Sequence, residues 1–243
     1  MCPATHASDQ QALTANDRFR FACHDSLPCF TQCCRDVNIY LTPYDVLRLC
    51  KALKMGSGDF LSQHTRHFLA RVTNIPVVQL AMYPETLCCP FVKDSGCSVY
   101  HDRPWACRMF PLDLASADGE YRTIAGRERC LGLLESSTIT VGEWLETQGV
   151  APYMEMEHAF HSVMPAAFKP GAPMDAGLGK LLFFAYDLDR FRRMLDDARF
   201  LAFHEIREET LLRAREDDVA LLLLSFRYIR SQMEELYPVV RGS

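Results

Sequence analysis

No apolar run in this 243-residue sequence exceeds six residues, far short of the roughly 20 that a membrane-spanning helix needs. A helical membrane protein is therefore excluded, and a soluble chain is expected. The start of the sequence has no apolar stretch behind a basic segment, so nothing resembles a cleaved export signal, and a cytoplasmic setting is predicted. Clustered basic residues with interleaved aromatics are missing as well. With 26 Lys and Arg against 31 Asp and Glu, the net charge of −5 disfavours nucleic acid as a partner. There is no G-x-S-x-G nucleophile elbow and no Gly-rich dinucleotide loop. No repeat and no low-complexity tract is evident. Cysteine disappears after position 130.

What the chain does have is cysteine before that point: ten of eleven lie between residues 23 and 130. Cys23, Cys29, Cys33 and Cys34 form one patch. Cys88, Cys89, Cys97, Cys107 and Cys130 form another, with Cys50 alone between them. The odd total and a chain long enough to bury an ordinary core argue against a disulfide scaffold. Soft thiolates from two separated segments suit a metal ion or an iron–sulfur cluster. Neighbouring side chains of an extended segment point to opposite sides. Cys33 and Cys34 therefore cannot both ligate one ion without a sharp turn, and the same holds for Cys88 and Cys89. Two vicinal pairs favour a polynuclear or multi-site centre over a single tetrahedral zinc.

The chain divides into a lead-in at 1–20, a cysteine-cluster metal-binding domain at 21–135 and a helical region at 136–243 expected to pack on it. The expected fold class is mainly α with small irregular and β elements. Thr42, Pro43 and Asp45 spell a helix start with a capping box, and Val46, Leu49 and Leu53 follow at helical spacing. A second short helix opens at Ser57 and carries Phe60, Leu61 and His64. Residues 76–83 read as a strand, and Pro104 precedes a short helical turn. Thr140 and Glu143 stand in capping-box register for a helix over 140–149, with another over 152–164. Residues 169–179 read as a connector. Beyond it, Leu181, Phe184, Ala185, Leu188 and Leu195 mark one apolar face, and Val219, Leu222, Leu223, Phe226, Met233 and Leu236 another.

The segment Cys29-Phe30-Thr31-Gln32-Cys33-Cys34, with Cys89-Pro90-Phe91 and the run from Gly96 through Tyr100, His101, Asp102, Arg103, Pro104, Trp105, Ala106, Cys107 and Arg108 to Pro111, resembles the YkgJ-type cysteine-cluster family, a zinc- or iron-chelating domain. The resemblance covers about residues 21–135. It implies that Cys29, Cys33, Cys34, Cys89, Cys97 and Cys107 are metal ligands or their near neighbours, with Cys130 a later member. The sequence departs from a CxxCxxCC opening, because three residues separate Cys29 from Cys33 and Cys23 stands six before Cys29. The roles of Cys23 and Cys88 stay open, and Cys2 and Cys50 have no counterpart. A weaker resemblance to the cysteine-rich part of flagellin lysine N-methylases implies an iron–sulfur cluster and protein modification. The radical CxxxCxxC motif is broken, however, since Asp36 stands where its third cysteine belongs.

Arg108 and Arg103, with Arg35, are candidates to offset the charge of clustered thiolates and to donate to sulfur. Pairing with Asp102, Asp36 or solvent is the alternative. His101 is kept as a candidate ligand. Glu155 and His158, with His161 a turn later, resemble half of a carboxylate-bridged metal helix, but no second Glu-x-x-His exists and a solvated face is expected. His64 and His67 are expected at the surface, and Trp105 in packing. No catalytic acid or base stands out. The expected function is binding of iron, as an iron–sulfur cluster, or zinc. It would support redox or protein-modification chemistry with a protein partner or substrate. The rival is a structural zinc module in an interaction protein, with closed four-thiolate sites and no catalysis.

Overall fold

The structure is a computed structural model that describes residues 12–116, 119–169 and 171–241. Cys2 and most of the lead-in lie outside the described residues. In chain order the elements begin with β1 (Arg18–Arg20), α1 (Pro43–Leu53), α2 (Ser57–His64), β2 (Thr65–Leu69), β3 (Pro76–Leu80), β4 (Val92–Lys93), β5 (Gly96–Cys97), α3 (Trp105–Met109), β6 (Leu112–Leu114), β7 (Tyr121–Thr123) and β8 (Thr138–Thr140). Then come α4 (Val141–Thr147), α5 (Ala151–His161), α6 (Ala176–Leu182), α7 (Leu188–Met194), α8 (Ala198–Phe203), α9 (Glu208–Glu216) and α10 (Asp218–Arg241). Nearly half helical, with small strand pairs, the chain has a helical second half. No described helix is long and apolar enough to cross a membrane.

Two compact units are interleaved along the sequence. One comprises Met1–Val37, Met82–Tyr100 and Trp105–Ala151. The other comprises Asn38–Ala81, His101–Pro104 and Pro152–Ser243.

The first unit is built from short two-stranded pieces. β1 pairs antiparallel with β8 (Phe19 opposite Ile139), β4 with β5, and β6 with β7. Two-stranded ribbons are marginal by themselves, so these depend on a small common core. That core gathers Phe19, Phe21, Met109, Leu112, Tyr121, Leu133 and Val141, with Trp105 and Trp144 packed at its edge. Trp105 thus serves in packing. β1 was hidden in the sequence because a single buried residue, Phe19 between two exposed arginines, gives alternation nothing to repeat. The capping box is present at α4, where Thr140 accepts from the Glu143 amide and Glu143 accepts from the Thr140 amide.

The second unit is helical around one core. Thr42 caps α1, accepting from the Asp45 amide at 3.1 Å, while the Asp45 carboxylate accepts from the Thr42 amide at 2.8 Å. Leu49 of α1, Phe60 of α2, Phe191 of α7 and Leu221, Leu222, Ile229 and Met233 of α10 are fully buried. Each such side chain contributes about 1.5–3 kcal/mol of burial. The α10 face differs from expectation: Leu223 and Leu236 are exposed, while Leu221, Leu224 and Ile229 are inside. Four consecutive leucines sweep about 300° of a helix, so one of them has to face out. The expected face from Leu181 to Leu195 is broken into α6, a 3₁₀ turn at Phe183–Ala185, and α7. α6 also begins inside the expected connector, because Asp175 accepts from the amides of Gly177 and Leu178 and starts the helix.

β2 pairs with β3, Thr65 opposite Leu80. β2 is exposed along its middle, so no alternation announced it, and β3 stops at Leu80, short of the expected 83. Gly179 permits a close approach, since a Cβ there would stand 2.1 Å from the Asn74 carbonyl oxygen.

Candidate metal centre

All nine cysteines of the two patches fall in the first unit; Cys50 lies in the second. None forms a disulfide. Cys33 and Cys34 sit on a 3₁₀ turn, Gln32–Cys34, entered through Thr31 in the left-handed region at φ 66°. Asp36 and Leu87 are also left-handed, at φ 50° and 55°. Each costs about 1–2 kcal/mol for a side chain with a Cβ, and all three adjoin cysteine segments. The turn closes locally, Gln32 donating to the Cys29 carbonyl at 3.0 Å and Cys34 to the Thr31 carbonyl at 3.0 Å. The sharp turn that a vicinal pair requires is present.

The turn separates its two cysteines into different company. Cys33 lies within electrostatic reach of Cys23 and Cys130, and Cys29 within reach of both of these. Cys34 instead lies within reach of Cys107 and Cys89, and Cys89 within reach of Cys97 and Cys88. The thiols thus fall into two groups, one of Cys23, Cys29, Cys33 and Cys130 and the other of Cys34, Cys89, Cys97 and Cys107, with Cys88 beside Cys89. They adjoin at Cys33 and Cys34, whose side chains share a hydrogen bond.

Backbone contacts explain how distant segments arrive there. In the first set, Ala22 donates to the Gly132 carbonyl at 3.1 Å. A Cβ on Gly132 would stand 2.5 Å from the Ala22 carbonyl oxygen, so glycine lets the Cys130 turn lie against the Cys23 segment. The Leu131 amide donates to Cys29 Sγ at 3.3 Å. In the second set, the Cys89 amide donates to the Cys34 carbonyl at 2.9 Å. The β4–β5 hairpin carries Cys97 back past Cys89, and α3 carries Cys107.

The thiols are electrostatically frustrated. Burial pushes Cys23 up to about 11, with Cys33, Cys130 and Cys29 adding to the shift. Burial likewise raises Cys130 and Cys89. The Cys34 thiol donates to the Cys33 sulfur, which lowers Cys33 and raises Cys34, and the Arg129 guanidinium favours the Cys33 thiolate further. Several half-buried thiols that cannot ionise together are stabilised by a cation that displaces their protons.

Arg35 meets the expectation of donation to sulfur: its Nη1 lies 2.7 Å from Cys88 Sγ. Arg129 Nη2 donates to the Arg35 carbonyl at 2.8 Å, and both arginines line a recess of about 500 Å³ with Cys29, Gln32 and Asp36. Arg108 is buried and donates through Nη1 to the Gln148 carbonyl at 2.6 Å. Arg103 and His101 belong to the second unit, Arg103 buried and His101 exposed. Asp102 pairs with Arg48, whose Nε donates at 2.8 Å. His161 pairs with Glu157 at 3.1 Å on exposed α5. Cys50 lies near Asp189, and burial leads in pushing it up to about 12.

Cys23 is the set member whose role spacing left open. Its signal was weak because the partner it meets, Cys130, is 107 residues away. Among the described residues, no three His, Cys, Asp or Glu side chains stand close enough together to hold a metal ion as they lie. The sulfurs are gathered without being closed on one point. By number and softness the donors nonetheless fit zinc or iron, either of which takes four thiolates.

No curated protein and no solved structure matches the chain. Residues 22–130 match the model of the CxxCxxCC family, described as a "putative zinc- or iron-chelating domain". That span contains every cysteine of both sets, and it is in this cysteine-rich segment that the chain is similar to the CxxCxxCC family.

Proposed function

We propose that this protein binds iron through two adjoining four-cysteine sites, as an iron–sulfur centre used in electron transfer or in redox-supported modification of a partner. The observation that carries this reading is the convergence of cysteines from distant segments, the Leu131 amide donating to Cys29 Sγ beside Cys130 and the Cys89 amide donating to the Cys34 carbonyl, on either side of the Cys33–Cys34 pair. Such an arrangement suits a polynuclear centre better than one mononuclear ion. When four thiolates close a site, no position is left for a substrate oxygen, so hydrolytic chemistry at the metal is disfavoured. Cys29, Cys33, Cys34, Cys89, Cys97, Cys107 and Cys130 are proposed as ligands, with Cys23 as the eighth. Cys88, engaged by Arg35, is proposed as a neighbour.

The second reading, two structural zinc ions, is favoured by the same count of four thiolates in each set. Metal and acid-labile sulfide analysis, with a visible spectrum, on protein purified without oxygen separates the two. Iron with sulfide and a redox-sensitive colour supports the first reading. Colourless protein with about two zinc ions per chain supports the second and sinks the first.

A further inference from the structure

The helical unit holds a concave site that cysteine chemistry does not use. A space of about 310 Å³ lies between the α8–α9 turn and α10, lined by His204, Arg207, Arg227, Tyr228, Arg230 and Glu234 among others. That volume is at the small end of ligand sites, which run from roughly 300 to 1,000 Å³.

Three guanidiniums line it, and only one has an ion-pair partner. Arg230 Nε donates to Glu234 Oε1 at 2.9 Å. The guanidiniums of Arg207 and Arg227 have no hydrogen-bond or ion-pair partner among the described residues, nor does the carboxylate of Glu205 at the rim. The site has therefore not collapsed into internal salt bridges, and two fork-shaped donors remain available to an oxyanion. α9 opens beside them, with Arg207 at its N-cap and no side-chain cap. Its first-turn acids, Glu208 and Glu209, temper the positive charge there.

Part of the lining is an aromatic wall, in which the His204 and Tyr228 rings meet edge to face at 5.1 Å. Such a wall favours a planar or apolar body over a bare ion.

We propose that this site binds a small molecule carrying an oxyanion, phosphate or carboxylate, on an aromatic body. The oxyanion pairs with Arg207 and Arg227, and the body rests against Tyr228 and His204. Isothermal titration of the full chain with phenyl phosphate, benzoate and neutral benzyl alcohol tests this. At least one of the two anions binds saturably at one per chain, and whichever binds tighter identifies the oxyanion. Arg207→Ala and Arg227→Ala each weaken that binding about tenfold or more, whereas Arg66→Ala on the exposed β2 strand does not. The substituted arginines are exposed, and thermal melts check that the variants fold. The proposal is overturned by absence of saturable anion binding up to about 10 mM. Equal binding of benzyl alcohol, undiminished binding in both arginine variants, or equal weakening in Arg66→Ala also overturns it.

Discussion

Replacing Cys23 with serine tests the division into two thiol sets most directly. In the structure Cys23 interacts with Cys29, Cys33 and Cys130, and no member of the Cys34 set contributes to its shift. Structural zinc contributes about 10–16 kcal/mol in four-ligand sites. Loss of one thiolate in four removes on the order of a quarter of that, near 3 kcal/mol, or about a hundredfold in affinity. Dialysis against a chelator whose affinity lies between those of the intact and damaged sites then empties the Cys23 set alone. Metal analysis should find about half the wild-type content, and Cys34→Ser should show the complementary loss. Double substitution should remove nearly all metal, while Cys50→Ser, in the other unit, should remove none. A full complement in Cys23→Ser refutes the membership of Cys23. Complete loss in that variant alone refutes two separable sets and points to a single shared centre.

Three further outcomes follow from local chemistry. Thr42→Ala removes the reciprocal cap of α1 and should lower stability by about 1 kcal/mol, read as a shift in the denaturant midpoint of the helical unit. Arg108→Ala leaves the Gln148 carbonyl without its 2.6 Å donor. It should cost about 1–3 kcal/mol, with Arg108→Lys failing to restore wild-type stability if the fork geometry is what matters. His161 is raised above its ordinary 6.5 because Glu157 accepts its hydrogen bond. Its small contribution to stability is complete below that pH and lost as pH rises through the folded value. An NMR titration should place His161 above a free histidine, and Glu157→Gln should bring it back down.

Features written in short-range chemistry were readable without coordinates. Thr42-Pro43-Tyr44-Asp45 and Thr140 with Glu143 dictate where helices begin because a cap and its acid are three residues apart. Both boxes are formed as spelled. What sequence did not expose were pairings made over long separations by elements too short to repeat a pattern. β1 meets β8 across about 120 residues, with Arg18 opposite Thr140, and only Phe19 marks its inner face. The same limit applied at the site. Cys29, Cys33 and Cys34 announce themselves by spacing, but the meeting of Cys23 with Cys130 depends on Gly132 lying against Ala22. That contact becomes visible only once the chain has folded.

The vicinal pair shows how one local rule fixes the layout of a whole centre. Neighbouring side chains diverge unless the backbone turns, and here a left-handed Thr31 leads into a 3₁₀ turn on which the Cys33 and Cys34 thiols interact with each other. Their thiols nonetheless face different partners. A structure with one common ion would require Cys33 and Cys34 to share neighbours, whereas Cys33 is in reach of Cys23 and Cys130, and Cys34 of Cys89 and Cys107. Lengthening the link separates the alternatives. Inserting one glycine between Cys33 and Cys34 should abolish any contact between the sets while leaving each set its four thiols. Two independent sites would keep their metal and lose only mutual influence, such as coupled reduction or sequential loading. A single bridged centre would lose its metal outright, and that result would refute the division into two sets.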